Sequence, residues 1–115
     1  MNISSRRVDT GEMMVTVIGE IDLASSPLVS KELEKRSGRV VVDLRKVDFM
    51  DSTGIRLLLA QHERLDRAGG HLRILVGRDQ QLTRLLEISG LTDVFDIAEA
   101  LHPPAEEDPS PTMLV

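Results

Sequence analysis

The chain contains no cysteine, no tryptophan and no tyrosine, and only two phenylalanines, Phe49 and Phe95. Without cysteine there are no disulfides, thiolate metal sites or thiol nucleophiles, and the composition suits a reducing compartment. Two isolated rings do not make a stacking platform for single-stranded nucleic acid. The core must therefore be built from Leu, Ile, Val, Met and Ala. Positive charge is also scarce: the formal net charge is −5, with Glu106, Glu107 and Asp108 near the end supplying −3 of it. Nothing in that balance favours a nucleic-acid backbone as a partner. No apolar run approaches the roughly 20 residues of a membrane span, and Met1–Asn2–Ile3–Ser4 opens no apolar signal core. The expectation is a soluble, cytoplasmic protein without membrane contact.

What is present fits one domain, since 115 residues can bury about two thirds of the unfolded surface in a single core. Ile3–Asp9, the turn Asp9–Thr10–Gly11–Glu12 and Met13–Ile18 read as two strands joined by a tight turn, the first polar enough for a sheet edge. Ser25–Ser26–Pro27 opens a helix that carries Leu28, Val29, Glu32, Leu33 and Arg36 towards Ser37–Gly38. Arg39–Leu44, with three consecutive valines, predicts a central parallel strand buried on both faces. Ile55, Leu58, Leu59, His62 and Leu65 then mark an apolar helix face ending at Gly69–Gly70.

Leu72, Ile74 and Val76 alternate as a strand. Leu82, Leu85 and Leu86 mark a helix from about Asp79 to Gly90, and Val94–Ile97 a last short strand. The order predicts an α/β domain with a mixed, mostly parallel sheet of about four to five strands and three to four helices. Its expected extent is residues 1–101. Residues 102–115, rich in proline and acid, are expected to be a disordered tail.

The stretch most suggestive of function is Val47–Asp48–Phe49–Met50–Asp51–Ser52–Thr53–Gly54–Ile55, where a buried strand hands over to an amphipathic helix. A helix N-terminus offers unpaired N–H groups and a positive dipole end, so a phosphoserine there would meet a favourable field. Asp, Ser and Thr are equally ordinary N-caps. No Glu or Gln follows three residues after any of them, so a capping box is absent. The residues alone leave open whether Ser52 is modified or caps the helix.

Four elements, taken in order, resemble the STAS domain and, more narrowly, the bacterial anti-anti-sigma factors. They are Gly19–Glu20–Ile21–Asp22, Val40–Val41–Val42–Asp43–Leu44, Phe49–Met50–Asp51–Ser52–Thr53–Gly54 and Ile88–Ser89–Gly90–Leu91. The resemblance covers about Val15–Ile97. It implies that Ser52 is phosphorylated, with Thr53 the alternative acceptor, by an anti-sigma factor that is also a serine kinase of ATPase fold. The unphosphorylated form would bind that partner and free the sigma factor. A metal-dependent serine phosphatase would reset the phosphorylated form.

The resemblance further implies a partner surface including Asp22, Glu20, Asp51, Ser52, Thr53, Gly54 and Arg56. Asp51 would orient the hydroxyl or meet the kinase's magnesium, although it could equally cap the helix. Gly54 would keep the turn clear for a partner's backbone, although packing explains it as well. Arg56, one helical turn after Ser52, could reach a phosphate or an acidic partner surface, or stand in solvent. The loop acids Glu20 and Asp22 could serve only solubility and the helix dipole. The resemblance implies a final helix shortened to about Ala98–Leu101 by Pro103–Pro104.

An enzyme using Ser52 with His62, His71 or His102 is disfavoured, because Gly-x-Ser-x-Gly is absent and His62 falls on the apolar helix face. No phosphate-binding loop or metal-ligand spacing is present, so neither cofactor nor resident metal is expected. A response-regulator reading lacks its early acidic pair. The rival that remains is a STAS scaffold in a stress-signalling or lipid-transport ATPase complex, in which Ser52 need not turn over phosphate.

Overall fold

Glycine and hydrogen bonding close the first turn. Gly11 takes φ +91°, its N–H donates to Val8 O at 2.8 Å, and the Val8 N–H donates to Glu12 O at 2.9 Å. A side chain at position 11 would be strained in that left-handed conformation. The structure, a computed structural model, describes residues 1–78 and 80–100. Its elements are β1 (Asn2–Arg7), β2 (Met13–Ile21), α1 (Ser26–Glu34), β3 (Arg39–Met50), α2 (Ser52–Arg67), β4 (His71–Gly77), α3 (Gln81–Ile88) and β5 (Asp96–Ala100).

The sheet order is β1-β2-β3-β4-β5. β1 is the antiparallel edge, and the remaining pairs are parallel. This is the expected mixed, mostly parallel α/β sheet, with five strands and three helices among the described residues. β3 is central, and its valines are buried on both faces: Val40 and Val42 belong to the main core, whereas the alternate Val41 is buried outside that cluster. One apolar cluster joins Val40 and Val42 to Val29 and Leu33 of α1, Leu58 and Leu65 of α2, Ile74 of β4 and Leu86 of α3. Each such side chain contributes roughly 1.5–3 kcal/mol by leaving water, so the near absence of aromatics does not leave the domain without a core.

Tertiary pairing lengthens two strands beyond their local pattern. β2 runs on through Glu20 to Ile21, and β3 runs through the polar Arg45–Lys46 and Asp48 to Met50, because the two stay paired from Met13–Val40 to Ile21–Met50 across register shifts at Thr16/Ile18 and Gly19/Glu20. β4 pairs with β3 only as far as Asp43–Leu75. Beyond that point Gln80 takes over: its amide donates to Leu44 O and Val47 O at 2.8 and 2.9 Å, and its Oε1 accepts from the Gly77 N–H at 2.7 Å. Carbonyls that would otherwise lack partners are thereby satisfied. Inside the sheet, buried Asp43 is held by the Arg45 guanidinium through two 3.0 Å contacts.

Two elements differ from the sequence-based expectation. Ala98–Ala100 are not helical; they continue β5, where Leu75–Ala98 and Gly77–Ala100 are paired. A vacant edge on β4 supplied hydrogen-bond partners that outweighed the helix preference of alanine and glutamate. The last strand begins at Asp96 rather than Val94, since the Val94 and Phe95 N–H groups both donate to Leu91 O in the preceding turn. The predicted tail, 102–115, and Asp79 lie outside the described residues, and the third helix starts at Gln81, after the Gln80 N-cap.

Candidate functional site

The carboxyl ends of β2 and β3 finish side by side, with Ile21 paired to Met50. The Asp51 N–H then donates to Ile21 O at 3.4 Å. This brings the β2–α1 loop, with Asp22, against the β3–α2 junction, with Ser52. Two motifs separated by about thirty positions in the sequence thus share one end of a parallel sheet, where ligand and partner sites of α/β domains commonly form.

Asp51, not Ser52, is the N-cap of α2. Its backbone is extended, and its Oδ1 accepts the Thr53 N–H at 2.9 Å. Its carbonyl accepts the Gly54 N–H at 3.0 Å and the Ile55 N–H at 3.4 Å. Ser52 is the first helical residue, exposed, and its hydroxyl has no partner among the described residues. The expected ring of free helix donors is therefore corrected: Asp51 has claimed them, leaving the Ser52 N–H as the open donor of the first turn. A phosphate on Ser52 would meet the positive end of the α2 dipole but few free backbone donors, and it would lie beside the Asp51 carboxylate.

Thr53 is half-buried, with its N–H committed to the cap. Gly54 is not open to a partner. It is buried, and a Cβ there would overlap Met50 Cγ and Sδ and stand 3.2 Å from Ile21 Cγ2. Packing accounts for this glycine, because it lets the first turn of α2 settle onto the two strand ends. Arg56 is exposed one turn after Ser52, with no partner among the described residues.

In the neighbouring loop, Asp22 Oδ1 accepts from the Ala24 N–H (3.1 Å), the Ser25 N–H (3.0 Å) and the Ser25 hydroxyl (3.1 Å). These bonds, the Ser25 N–H foremost, hold the Asp22 carboxyl below the usual carboxylate range. Ser25 does not cap α1 with its side chain. Its Oγ instead accepts the Asp22 N–H at 3.0 Å and faces Glu20 O at 2.7 Å. Glu20 ties into the loop through its carbonyl, while the residue itself is exposed.

The sequence reading missed the apolar side chains around this end. Leu23 is 76% exposed, Ile88 74% and Phe49 50%. Phe49, Leu85 and Ile88 line a groove of about 310 Å³ between the end of β3 and α3. Their signal was present as large apolar residues out of phase with the buried positions. Exposure depends on the fold, however, and single exposed apolar residues are common.

No histidine joins Ser52 among the described residues. His62 packs edge-on against Phe95, with centroids 6.0 Å apart. His71 meets Asp96 at 2.7 Å and pairs in the sheet with Arg39, at the opposite end of β3, on the order of 30 Å of strand away from Ser52. His102 lies outside the described residues. The described residues hold no group of three or more His, Asp or Glu side chains suited to a metal ion, and none of their helices is long and apolar enough to cross a membrane.

The STAS domain pattern matches residues 4–103. The chain belongs to the STAS domain family. Among curated proteins, it is 37% identical over 103 residues to the anti-sigma-B factor antagonist of Listeria monocytogenes, covering 84% of this chain and 90% of the relative. It is 30% identical over 102 residues to the Bacillus subtilis protein of the same name, covering 85% and 93%. Among solved structures, the anti-sigma factor antagonist SpoIIAA of Bacillus in its unphosphorylated form has the same fold, with TM-score 0.71 at 17% identity and 94% of each chain covered. This STAS domain thus carries its exposed serine at the junction where its two longest parallel strands end together.

Proposed function

We infer that this STAS protein is an anti-sigma factor antagonist that works by partner switching. Unphosphorylated, it binds an anti-sigma factor with serine-kinase activity and so releases the sigma factor. Phosphorylation at Ser52 ends that binding, and a metal-dependent serine phosphatase restores it. The chain itself performs no catalysis, and the exchange takes place in the cytoplasm.

The observation that carries this reading is the exposed Ser52 hydroxyl, free of capping duty because Asp51 performs it. The names of the Listeria and Bacillus relatives support the partner class, and SpoIIAA, which shares the fold, exists in unphosphorylated and phosphorylated forms. A dianion with few internal donors must be desolvated by the partner, and a differential cost of about 2.8 kcal/mol corresponds to a hundredfold loss of affinity. No change of fold is needed. Asp22, Glu20, Asp51, Thr53 and Arg56 surround or support the contact. Gly54 acts beneath it, through packing.

The test uses wild type, Ser52→Ala and Ser52→Glu as baits in lysate of the native host, with retained proteins identified by mass spectrometry. The expected result is an ATPase-fold anti-sigma kinase on the first two baits and not on the third. The same transporter or scaffold proteins on all three would overturn the switch and favour a scaffold role.

A further inference from the structure

Asp22 looks like a charge held out to a partner, but its hydrogen bonds point inward. One oxygen of its carboxylate accepts the Ala24 N–H, the Ser25 N–H and the Ser25 hydroxyl. The Ser26 N–H closes the loop onto Asp22 O at 2.8 Å, and the Ser25 hydroxyl, whose one proton is shared between Glu20 O at 2.7 Å and Asp22 Oδ1 at 3.1 Å, joins the loop to the end of β2. Every one of these bonds fixes the backbone on either side of Leu23. That leucine makes no such contact and stands 76% exposed, on a loop whose first residue follows Ile21, the partner of Met50 and of the Asp51 N–H.

We propose that Asp22 is a positioning residue and that Leu23 is the side chain of this loop that meets the anti-sigma factor, entering an apolar socket on it. The assignment rests on the partner-switching reading and names what that partner must offer next to Ser52. Two physical arguments carry it. A loop already ordered by its own hydrogen bonds loses little further entropy on binding, so an apolar side chain mounted on it delivers most of its burial as affinity. A partner that buries Leu23 at the strand end shared with Ser52 also helps to exclude water from the serine, which raises the cost of placing a phosphate there.

The test measures affinity by calorimetry between the full-length chain and the purified anti-sigma factor identified with the wild-type bait. Leu23→Ser is expected to weaken binding by about tenfold or more, the scale of a lost apolar anchor. Asp22→Ala should lose a comparable factor, whereas Asp22→Asn, which keeps the accepting oxygen and removes the charge, should stay within about twofold of wild type. If Asp22 acts through Leu23, the double variant Asp22→Ala/Leu23→Ser binds no more weakly than Leu23→Ser alone. Thermal unfolding of each variant separates loss of binding from loss of fold.

A loss for Asp22→Asn as large as for Asp22→Ala, with Leu23→Ser neutral, would overturn the proposal and make Asp22 a direct charge contact. Neutrality of all the loop variants, while Ser52→Glu still abolishes binding, would remove the loop from the interface and leave the switch intact. Failure of wild type to retain any anti-sigma factor would instead remove the functional reading on which this rests.

Discussion

The two ends of the parallel strands use their side chains in opposite ways. At the amino end, charges are matched within the fold. Asp96 is shared by His71 at 2.7 Å and Arg73 at 3.1 Å, Arg39 faces Glu12, and Glu32 joins Ser5 and Arg36 at 2.6 and 2.7 Å. At the carboxyl end, hydrogen bonds tie the backbone down through Asp22 and Asp51, while Ser52, Arg56, Leu23 and Phe49 are left facing solvent. One end closes on itself; the other is rigid in its main chain and unsatisfied in its side chains. A surface of that second kind suits recognition, because its order is established before a partner arrives.

Four perturbations break or sharpen this contrast. The largest effect is expected from Ser52→Glu, with at least a hundredfold weaker anti-sigma binding, or about 2.8 kcal/mol, and no change in melting temperature. Calorimetry and thermal unfolding on the same sample check both. A large drop in stability would mean that the two ends are not independent.

Gly54→Val should come next and should blur the contrast. The buried first turn of α2 has no room beside Met50 and Ile21, so urea unfolding is expected to show a loss of about 1–3 kcal/mol, together with weaker binding as the Ser52 turn lifts. An unchanged urea midpoint would show that Met50 can move aside and that this glycine is not a packing requirement.

Glu32→Ala tests the amino end alone. A stability loss of about 1 kcal/mol is expected, the scale of a charge-assisted hydrogen bond on a partly exposed surface. That corresponds to ~4 °C in melting temperature for a domain of this size, with binding unchanged. The Ser5 hydroxyl, then Arg36, hold the Glu32 carboxyl down to about 2 from its ordinary 4.5. A carboxylate with a depressed native pKa contributes stability that is complete above 4.5 and is lost as the pH falls towards 2. Asp96, lowered chiefly by His71 and also by Arg73, acts in the same direction. Wild type should therefore lose stability on acidification, and Glu32→Ala should show a shallower loss over that window. Parallel acid titrations of the two proteins would contradict this.

The smallest effect is expected for Arg56→Ala. Its exposed side chain predicts a stability change within about 0.5 kcal/mol and a binding change of about threefold, the scale of a rim charge.

Much of the architecture could be read from local pattern. The valine run at Val40–Val42 marked the central strand, the 3.6-residue spacing from Ile55 to Leu65 marked α2, and the Asp51–Ser52–Thr53–Gly54 junction marked the site. Each depends on a few neighbouring residues, so one chain sufficed to expose it. Other features were illegible for a common reason. The extension of β3 to Met50 depends on β2, the strand state of Ala98–Ala100 depends on an open edge of β4, and the exposure of Leu23 and Phe49 depends on where no element happened to pack.

Sequence alone thus determined the α/β class, the element order and the presence of a hydroxyl at a strand-to-helix junction, since propensity and periodicity act over short stretches. Tertiary structure decided which of Asp51, Ser52 and Thr53 caps the helix, that Gly54 is buried, that Asp22 turns inward and that Leu23 turns outward. Those outcomes depend on hydrogen-bond geometry and contacts between segments about thirty residues apart, and such contacts exist only once the strands have paired.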